Sequence, residues 1–365
     1  MDERVNRILQ WSKGKKQGPL SIHLDISNRC NLKCRFCWQR SHERIGLVDY
    51  SNELSEEKLL SIVKEASELG VQDWLISGGG EPLLRTDTAV KIMKEIKRDH
   101  MLGDIITNGT FFRDQDLKEL VMIGWDRIRV SINAPSREMH DFLVDKEGAF
   151  DKAITSLRVI KELKKKNKTK VPEIGFNTVI NSVNYKGFPK IVKLLAKLKG
   201  TVFNVQTIIL YDEQEKKWTL DKKQRQEFNK IIRKVLKICE RHRIHTNIQE
   251  YLSENVAEKS NELGVMDKLM GTEYEGFIGS HCFEPWYLVT MRANGIVGSC
   301  RLFGDEGVSI HDKSLKEVWF GSYYDEIRHR LIKHDVPKYC KFCGANEYIE
   351  NQRIQNELLK CMMKS

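Results

Sequence analysis

Apolar and polar positions alternate with two different periods along the first 210 residues. Segment 55–69 has apolar side chains at 59, 60, 62, 63, 66 and 69, which predicts a helix with Ser55 as N-cap and Gly70 after its end. Further helices are predicted at 86–98, 114–122, 150–165 and 185–198. Between them, short apolar or alternating stretches predict strands at 22–26, 73–77, 104–107, 127–131, 173–180 and 202–210.

This order of elements predicts an α/β fold. Strands that alternate with helices form a parallel sheet with right-handed crossovers. Six such units fall short of the eight that close a full barrel, so we expect an open, partial (β/α)6 TIM-like barrel.

The remaining chain divides by composition. We predict an N-terminal arm at 1–18, the partial barrel at 19–210, a charged helical connector at 211–275, a small C-terminal iron–sulfur domain at 276–350 and a C-terminal helix at 351–365. Within the connector, Cys239 shares the apolar face of a helix at 221–241, which favours a core position over a ligand role.

Composition and charge limit the classes of function. No segment approaches the roughly 20 apolar residues of a membrane span, and the first residues show no apolar signal region. Nine cysteines in such a chain indicate metal ligation in a reducing cytoplasm.

The net charge of +10 is compatible with nucleic acid as a partner. Six lysines between 161 and 170 contribute to it, however, and they precede a strand at the sheet edge away from the expected site, so nucleic acid is not the favoured partner.

Three thiols follow the first predicted strand within eight residues: Cys30, Cys34 and Cys37. A [4Fe–4S] cluster normally takes four cysteines, so a loop that supplies three leaves one iron open to a ligand that is not protein. A zinc knuckle would need a second pair of ligands nearby, and the closest histidines, His23 and His42, occur singly. A disulfide is disfavoured in a chain without a secretory signal.

The spacing C-x3-C-x2-C, with Phe36 before the last cysteine, resembles the signature of the radical S-adenosylmethionine (radical SAM) superfamily. The resemblance implies that S-adenosylmethionine binds the open iron. A reduced cluster in that superfamily gives one electron to the sulfonium, and the resulting 5′-deoxyadenosyl radical abstracts a hydrogen atom from substrate. The resemblance also implies a low-potential electron donor of the flavodoxin or ferredoxin type.

Polar elements that follow the next three strands extend the resemblance. Gly79, Gly80 and Glu81 resemble the motif that binds the methionine amino group, and glycines there let backbone approach a ligand closely. Alone, these residues would indicate a glycine-rich turn. Asn108 lies in a Thr-Asn-Gly element like those found near the cofactor, and Ser131 and Asn133 occupy positions whose polar side chains contact S-adenosylmethionine in the superfamily. All follow the carboxyl ends of parallel strands, where active sites are built.

A second set of thiols lies near the C-terminus: Cys282, Cys300, Cys340 and Cys343. By spacing alone, a four-thiolate zinc site and an iron–sulfur cluster remain equally open. The pattern also resembles the SPASM/twitch extension of radical SAM proteins. That resemblance implies auxiliary [4Fe–4S] clusters, but the further closely spaced cysteines of the full pattern are lacking here. Because four thiolates fill only one cluster, we expect one auxiliary cluster, fully ligated by protein, which accepts or relays an electron. Cys361 has no assigned role.

These features predict a radical SAM oxidoreductase or maturase that abstracts hydrogen from a substrate C–H bond. We expect a peptide or protein side chain as substrate. The alternatives are oxidation or dehydration of a sugar or aminocyclitol, modification of RNA, and, most remotely, a zinc scaffold without catalysis.

Overall fold

A single open sheet organises the computed structural model, which describes residues 2–40, 48–210, 213–252, 276–303, 306–343 and 345–362. Its strands are β1 (Ser21–Asp25), β2 (Asp73–Ser77), β3 (Leu102–Thr107), β4 (Arg127–Ser131), β5 (Glu173–Val179), β6 (Val202–Gln206), β7 (His245–Thr246), β8 (Leu288–Met291), β9 (Ile296–Gly298) and β10 (Val308–Ser309). They lie in the order β10-β9-β8-β1-β2-β3-β4-β5-β6-β7.

Eleven α-helices of the described residues accompany the sheet. They are α1 (Glu3–Ser12), α2 (Glu56–Glu68), α3 (Thr86–Arg98), α4 (Asp114–Met122), α5 (Arg137–Val144), α6 (Ala149–Lys166), α7 (Phe188–Lys197), α8 (Lys222–His242), α9 (Leu315–Trp319), α10 (Ser322–Ile332) and α11 (Ala345–Met362). None of them is both long and apolar enough to cross a membrane.

The predicted partial barrel is confirmed. Strands β1 to β6 pair in parallel and in sequence order, and the sheet does not close. Ser55 caps α2 as predicted, because its side chain accepts a hydrogen bond from the Lys58 amide. The last predicted strand, 202–210, was too long: β6 ends at Gln206. Helix α5 was not predicted.

Alternation along β1 separates the core from the site. Ile22 and Leu24 are fully or almost fully buried in the main hydrophobic core, whereas His23 and Asp25 face a cavity on the other side of the strand. Cys239 is likewise buried in this core, which confirms the sequence interpretation.

The C-terminal segment extends the same sheet. Strand β8 pairs in parallel with β1, on the side opposite to β2, and β9 and β10 follow in antiparallel pairing. Helices α1 and α11 pack against this region through a smaller hydrophobic cluster. In it, Val5 and Ile8 of α1 pack with Phe283, Trp286 and, from α11, Leu358. The predicted C-terminal domain therefore adds strands beside β1, the strand that leads into the first cysteine loop.

Candidate active site

The segment with the first three thiols, residues 27–37, is referred to below as the cluster loop. It leaves the carboxyl end of β1 and is held against the end of α5 by two backbone hydrogen bonds, from the Lys33 amide to Val144 O at 3.1 Å and from the Arg35 amide to Leu143 O at 3.0 Å. Cys30, Cys34 and Cys37 are partly exposed, and all three line one cavity of about 330 Å³. The structure therefore brings the predicted thiols together at the carboxyl edge of the sheet.

The environment of these thiols fits a metal cluster. Burial raises the pKa of Cys30 to about 11 and that of Cys34 well above the usual thiol value, and nearby thiols add to both rises. A thiolate at such a site needs the positive charge of a bound metal, which deprotonates the thiol that it binds. The Leu32 amide also donates a hydrogen bond to Cys30 Sγ at 3.5 Å, a contact of the kind that tunes iron–sulfur clusters.

The glycines after β2 lie very close to the cluster loop. A Cβ atom on Gly80 would lie 2.0 Å from Arg29 O, and one on Gly79 would lie 2.6 Å from Asn28 Oδ1. The amides of Gly80 and Glu81 donate hydrogen bonds to Ser27 O at 2.9 Å and Arg29 O at 2.8 Å. These glycines let one loop pack against the cluster loop, and both also line the cavity, so their contact with the cofactor stays a prediction.

Glu81 is buried but retains capacity for a ligand. It is 2% exposed, and it accepts hydrogen bonds from Thr107 Oγ1 at 2.6 Å, the Asn108 amide at 2.7 Å and the Leu83 amide at 3.0 Å. Burial raises the pKa of its carboxyl group, and these three donors oppose the rise. A carboxylate offers about four acceptor positions. The remaining position fits an ammonium donor such as the methionine amino group.

The other predicted polar residues also reach this cavity. Asn108 lines it, but its side chain mainly braces the cluster loop, since Nδ2 donates to Asn31 Oδ1 at 2.8 Å. Ser131 and Asn133 line the cavity from the end of β4, and Asn133 Oδ1 accepts a hydrogen bond from the Val179 amide at 3.0 Å. Phe36 is 7% exposed and lies at the apolar side of the same cavity.

The C-terminal thiols also lie near one another. Burial raises the pKa of Cys282, Cys300 and Cys343 well above the usual thiol value, and nearby carboxylates and thiols, Cys340 among them, add to the effect. The Leu302 amide donates to Cys300 Sγ at 3.3 Å, as Leu32 does to Cys30. Cys343 lines the cavity that the cluster loop borders. Cys361 instead packs against the small C-terminal hydrophobic cluster.

The chain has two sets of thiols, three in the cluster loop and four near the C-terminus. Within the described residues, no three His, Cys, Asp or Glu side chains come close enough to share one metal ion. A zinc ion holds each thiolate about 2.3 Å from a single point, whereas each thiolate of a cubane binds a different iron. A set of three thiols and a set of four thiols match the ligand numbers of a cubane with one open iron and of a fully ligated cubane.

Sequence reasoning missed several residues of the site. Thr107 belongs to the predicted Thr-Asn-Gly element, but its hydrogen bond to Glu81 was not predicted. His23, Thr290 and Arg292 line the cavity from β1 and from the region of β8. The alternation of polar and apolar residues along β1 was the available signal for His23, whereas nothing in the sequence indicated that β8 would lie beside β1.

A partial barrel with three thiols gathered at its carboxyl edge fits the class of iron–sulfur proteins that bind a further ligand at the cluster. Comparison with known families identifies the member of that class. Residues 24–195 match the Radical SAM superfamily, and residues 282–344 match SPASM, an iron–sulfur cluster-binding domain. The chain therefore contains a radical SAM domain over just under half of its length, and members of that superfamily bind a [4Fe–4S] cluster and S-adenosylmethionine. It also carries a SPASM domain, a domain that binds auxiliary iron–sulfur clusters.

Individual relatives match only part of the chain. It is 30% identical over 194 residues to Fe-coproporphyrin III synthase of Methanosarcina barkeri, covering 53% of this chain and 44% of that protein. It is 28% identical over 194 residues to PqqA peptide cyclase of Granulibacter bethesdensis, covering 53% of this chain and 48% of that protein. The chain thus spans less than half the length of these curated relatives.

A solved structure matches over nearly the whole chain. SuiB of Streptococcus suis bound to S-adenosylmethionine aligns with a TM-score of 0.65 at 17% identity, covering 93% of this chain and 77% of that one. At this identity the match establishes the fold, including the arrangement of barrel and C-terminal segment.

Proposed function

We propose that this chain is a radical SAM enzyme that abstracts a hydrogen atom from a C–H bond of a peptide or protein side chain. One observation carries the proposal: a single cavity is lined by all three thiols of the cluster loop and by Cys343 of the C-terminal set. A substrate in that cavity would lie between the two cluster sites. Bound there, the cluster and S-adenosylmethionine supply the electron and the radical.

The residues of the chain hold and orient these groups. Cys30, Cys34 and Cys37 would bind three irons and leave the fourth to S-adenosylmethionine. Glu81, fixed by Thr107 and two backbone amides, accepts from the amino group of that ligand. Asn108, Ser131 and Asn133 supply polar contacts along the same edge, and Phe36 supplies an apolar surface.

The C-terminal thiols would hold one auxiliary [4Fe–4S] cluster. Four thiolates fill its coordination and leave no iron for substrate. We therefore assign this cluster to accept or relay the electron that the substrate loses. An external low-potential carrier of the flavodoxin or ferredoxin type supplies the electron that starts each cycle.

Two kinds of observation support a peptide substrate. SuiB has also been solved bound to its precursor peptide SuiA, and one curated relative is a peptide cyclase. The second candidate is a small-molecule substrate, which the similarity to Fe-coproporphyrin III synthase favours. A crosslinkable peptide incubated with the reduced enzyme separates the two candidates. Crosslinking that unlabelled peptide suppresses, and that small metabolites do not, supports a peptide substrate.

The enzyme class is tested by anaerobic incubation of the reduced protein with S-adenosylmethionine. We expect 5′-deoxyadenosine from the wild type and none from Cys34→Ala, because that variant loses a ligand of the first cluster. The matched control is Cys239→Ala, which removes a buried thiol that lies in the main core and should leave the product unchanged. Wild-type protein that carries zinc without iron, or that yields no 5′-deoxyadenosine, would contradict the proposal.

A further inference from the structure

Arg292 lies in the cavity wall between the two sets of thiols. It directly follows β8 and lines the same cavity as the cysteines of the cluster loop and Cys343. Two aromatic rings flank its guanidinium group, whose central carbon lies 5.1 Å from the centroid of the Trp38 ring and 5.0 Å from that of the Phe303 ring. Such cation–π contacts strengthen when water is withdrawn from them, and only 13% of the Arg292 side chain is exposed.

The two rings belong to different cluster sites. Trp38 directly follows the last cysteine of the cluster loop, and Phe303 lies three residues after Cys300 of the C-terminal set. Arg292 Nη2 also donates a hydrogen bond at 3.2 Å to the carbonyl oxygen of Arg301, the residue after Cys300. The guanidinium group is therefore fixed by residues that lie close in sequence to both sets of ligands.

The charge of this guanidinium group is only loosely paired. Within the described residues its ion-pair partner is Asp25, whose Oδ2 lies 3.9 Å from Nη1, too far for a hydrogen bond. Arg301 lines the same cavity, but its guanidinium group donates a hydrogen bond to Glu347 at 3.3 Å. Arg292 therefore carries the less neutralised of these two positive charges.

A fixed positive charge at this place acts on both predicted clusters. Thiolate ligands make each cluster anionic, and reduction adds one more negative charge. The reduction potential of an iron–sulfur cluster depends on the net charge and the hydrogen bonds around it, and a charge in a partly buried cavity is screened less than in water. A cation that lies between two clusters therefore favours the reduced form of each.

We infer that Arg292 is a shared counter-charge of the two clusters and raises the reduction potential of both. At each cluster one electron is gained, and no bond or proton is transferred. The charge eases reduction of the first cluster by the external carrier, and it eases the transfer of an electron from the substrate to the auxiliary cluster. The inference rests on the proposed function, because it requires both clusters.

The test is an anaerobic redox titration followed by electron paramagnetic resonance. Arg292→Gln removes the charge, whereas Arg292→Lys keeps the charge and loses the planar group. Both variants are measured with both clusters present, and again combined with Cys34→Ala or Cys300→Ala, each of which leaves one cluster. The matched control is Arg98→Gln, which removes a positive charge from an exposed residue at the end of α3, at the opposite edge of the sheet.

We expect Arg292→Gln to lower the ratio of reduced to oxidised cluster about tenfold at a fixed potential, and to do so for both clusters. For a one-electron couple, this change equals a shift of about 59 mV in reduction potential. Arg292→Lys should stay close to the wild type because the charge remains, and Arg98→Gln should match the wild type.

Asp25→Asn gives an independent test with the opposite sign. It removes the negative partner of Arg292 and should therefore raise both reduction potentials. This variant decides the question even if Arg292→Gln fails to load its clusters.

The inference would be overturned by unchanged potentials in loaded Arg292→Gln, by a shift at only one cluster, or by an equal shift in Arg98→Gln. A loss in Arg292→Lys as large as that in Arg292→Gln, or unchanged or lower potentials in Asp25→Asn, would overturn it as well. Failure of the proposed function looks different. In that case the wild type forms no 5′-deoxyadenosine with dithionite, whatever the potentials of its variants.

Discussion

The two sets of thiols are held in opposite ways. The cluster loop carries three cysteines within eight residues and is gripped by backbone groups of its neighbours: amides after β2 donate to its carbonyl groups, and its own amides donate to the end of α5. The C-terminal set has four cysteines spread from 282 to 343 on separate segments. Its positions depend on side chains that come from distant helices.

Asn351 and Tyr324 illustrate the second arrangement. Asn351 of α11 is 4% exposed; its Oδ1 accepts from the Phe283 amide at 3.0 Å and its Nδ2 donates to His281 O at 3.0 Å, on both sides of Cys282. Tyr324 of α10 donates to Gly298 O at 2.9 Å, two residues before Cys300. The first site is therefore held by backbone hydrogen bonds to neighbouring segments, and the second depends on the folding of the C-terminal helices around it.

The largest predicted difference between the two sites appears when one cysteine ligand is removed from each of them. Cys300→Ala should lower iron from about eight to about four per chain, abolish turnover of substrate and leave the formation of 5′-deoxyadenosine intact. Cys34→Ala should lose the same amount of iron and all 5′-deoxyadenosine. Iron analysis and chromatography of the nucleoside products measure both. Loss of 5′-deoxyadenosine in Cys300→Ala, with four irons retained, would show that the two sites are not independent.

The next prediction concerns the backbone contact that holds the first site. Gly80→Ala places a Cβ 2.0 Å from Arg29 O, and because the clash is with backbone, we expect a loss of about 3 kcal/mol in unfolding free energy. Iron should be lost from the first site while the C-terminal site stays loaded. Thermal unfolding and iron analysis are the measurements. Gly124→Ala is the control, since its Cβ meets no atom within 4 Å and carries only the cost of a positive φ of 68°. Equal losses of stability and of iron in Gly80→Ala and Gly124→Ala would show that the contact with Arg29 O is not the cause.

The same contrast explains what could be predicted from the sequence. The cluster loop was recognisable because its ligands are adjacent in the chain, and β1 to β6 were recognisable because each is followed by a helix with clear periodicity. Strand β8 was missed because all four of its residues are buried, so it shows no alternation of polar and apolar positions. The bond from Thr107 to Glu81 joins two strands, and neither residue alone indicates it. Helix α5 has only eight residues, too few for a decisive periodic pattern.

The smallest predicted effect is a difference between the two sites in how their stability depends on pH. His140 on α5 is 1% exposed, and its Nδ1 accepts a hydrogen bond from the Asn133 amide at 3.2 Å. Burial lowers the pKa of His140 from 6.5 to about 4, against a small opposing effect of Asp141. Its contribution to folding is therefore complete above pH 6.5 and is lost as the pH falls toward 4, because the unfolded chain takes up the proton first.

Between pH 7 and pH 5, this linkage amounts to about 2 kcal/mol of unfolding free energy. His140→Gln keeps an acceptor for the Asn133 amide but cannot titrate, so its stability should vary less with pH over this interval. Because α5 holds the cluster loop, acid should release iron from the first site before the second in the wild type, and this order should weaken in the variant. Denaturant unfolding at a series of pH values, with iron release followed in parallel, measures both effects. An unchanged pH dependence in His140→Gln would mean that other groups cause the acid sensitivity, and the difference between the two sites would then rest on their backbone and side-chain supports alone.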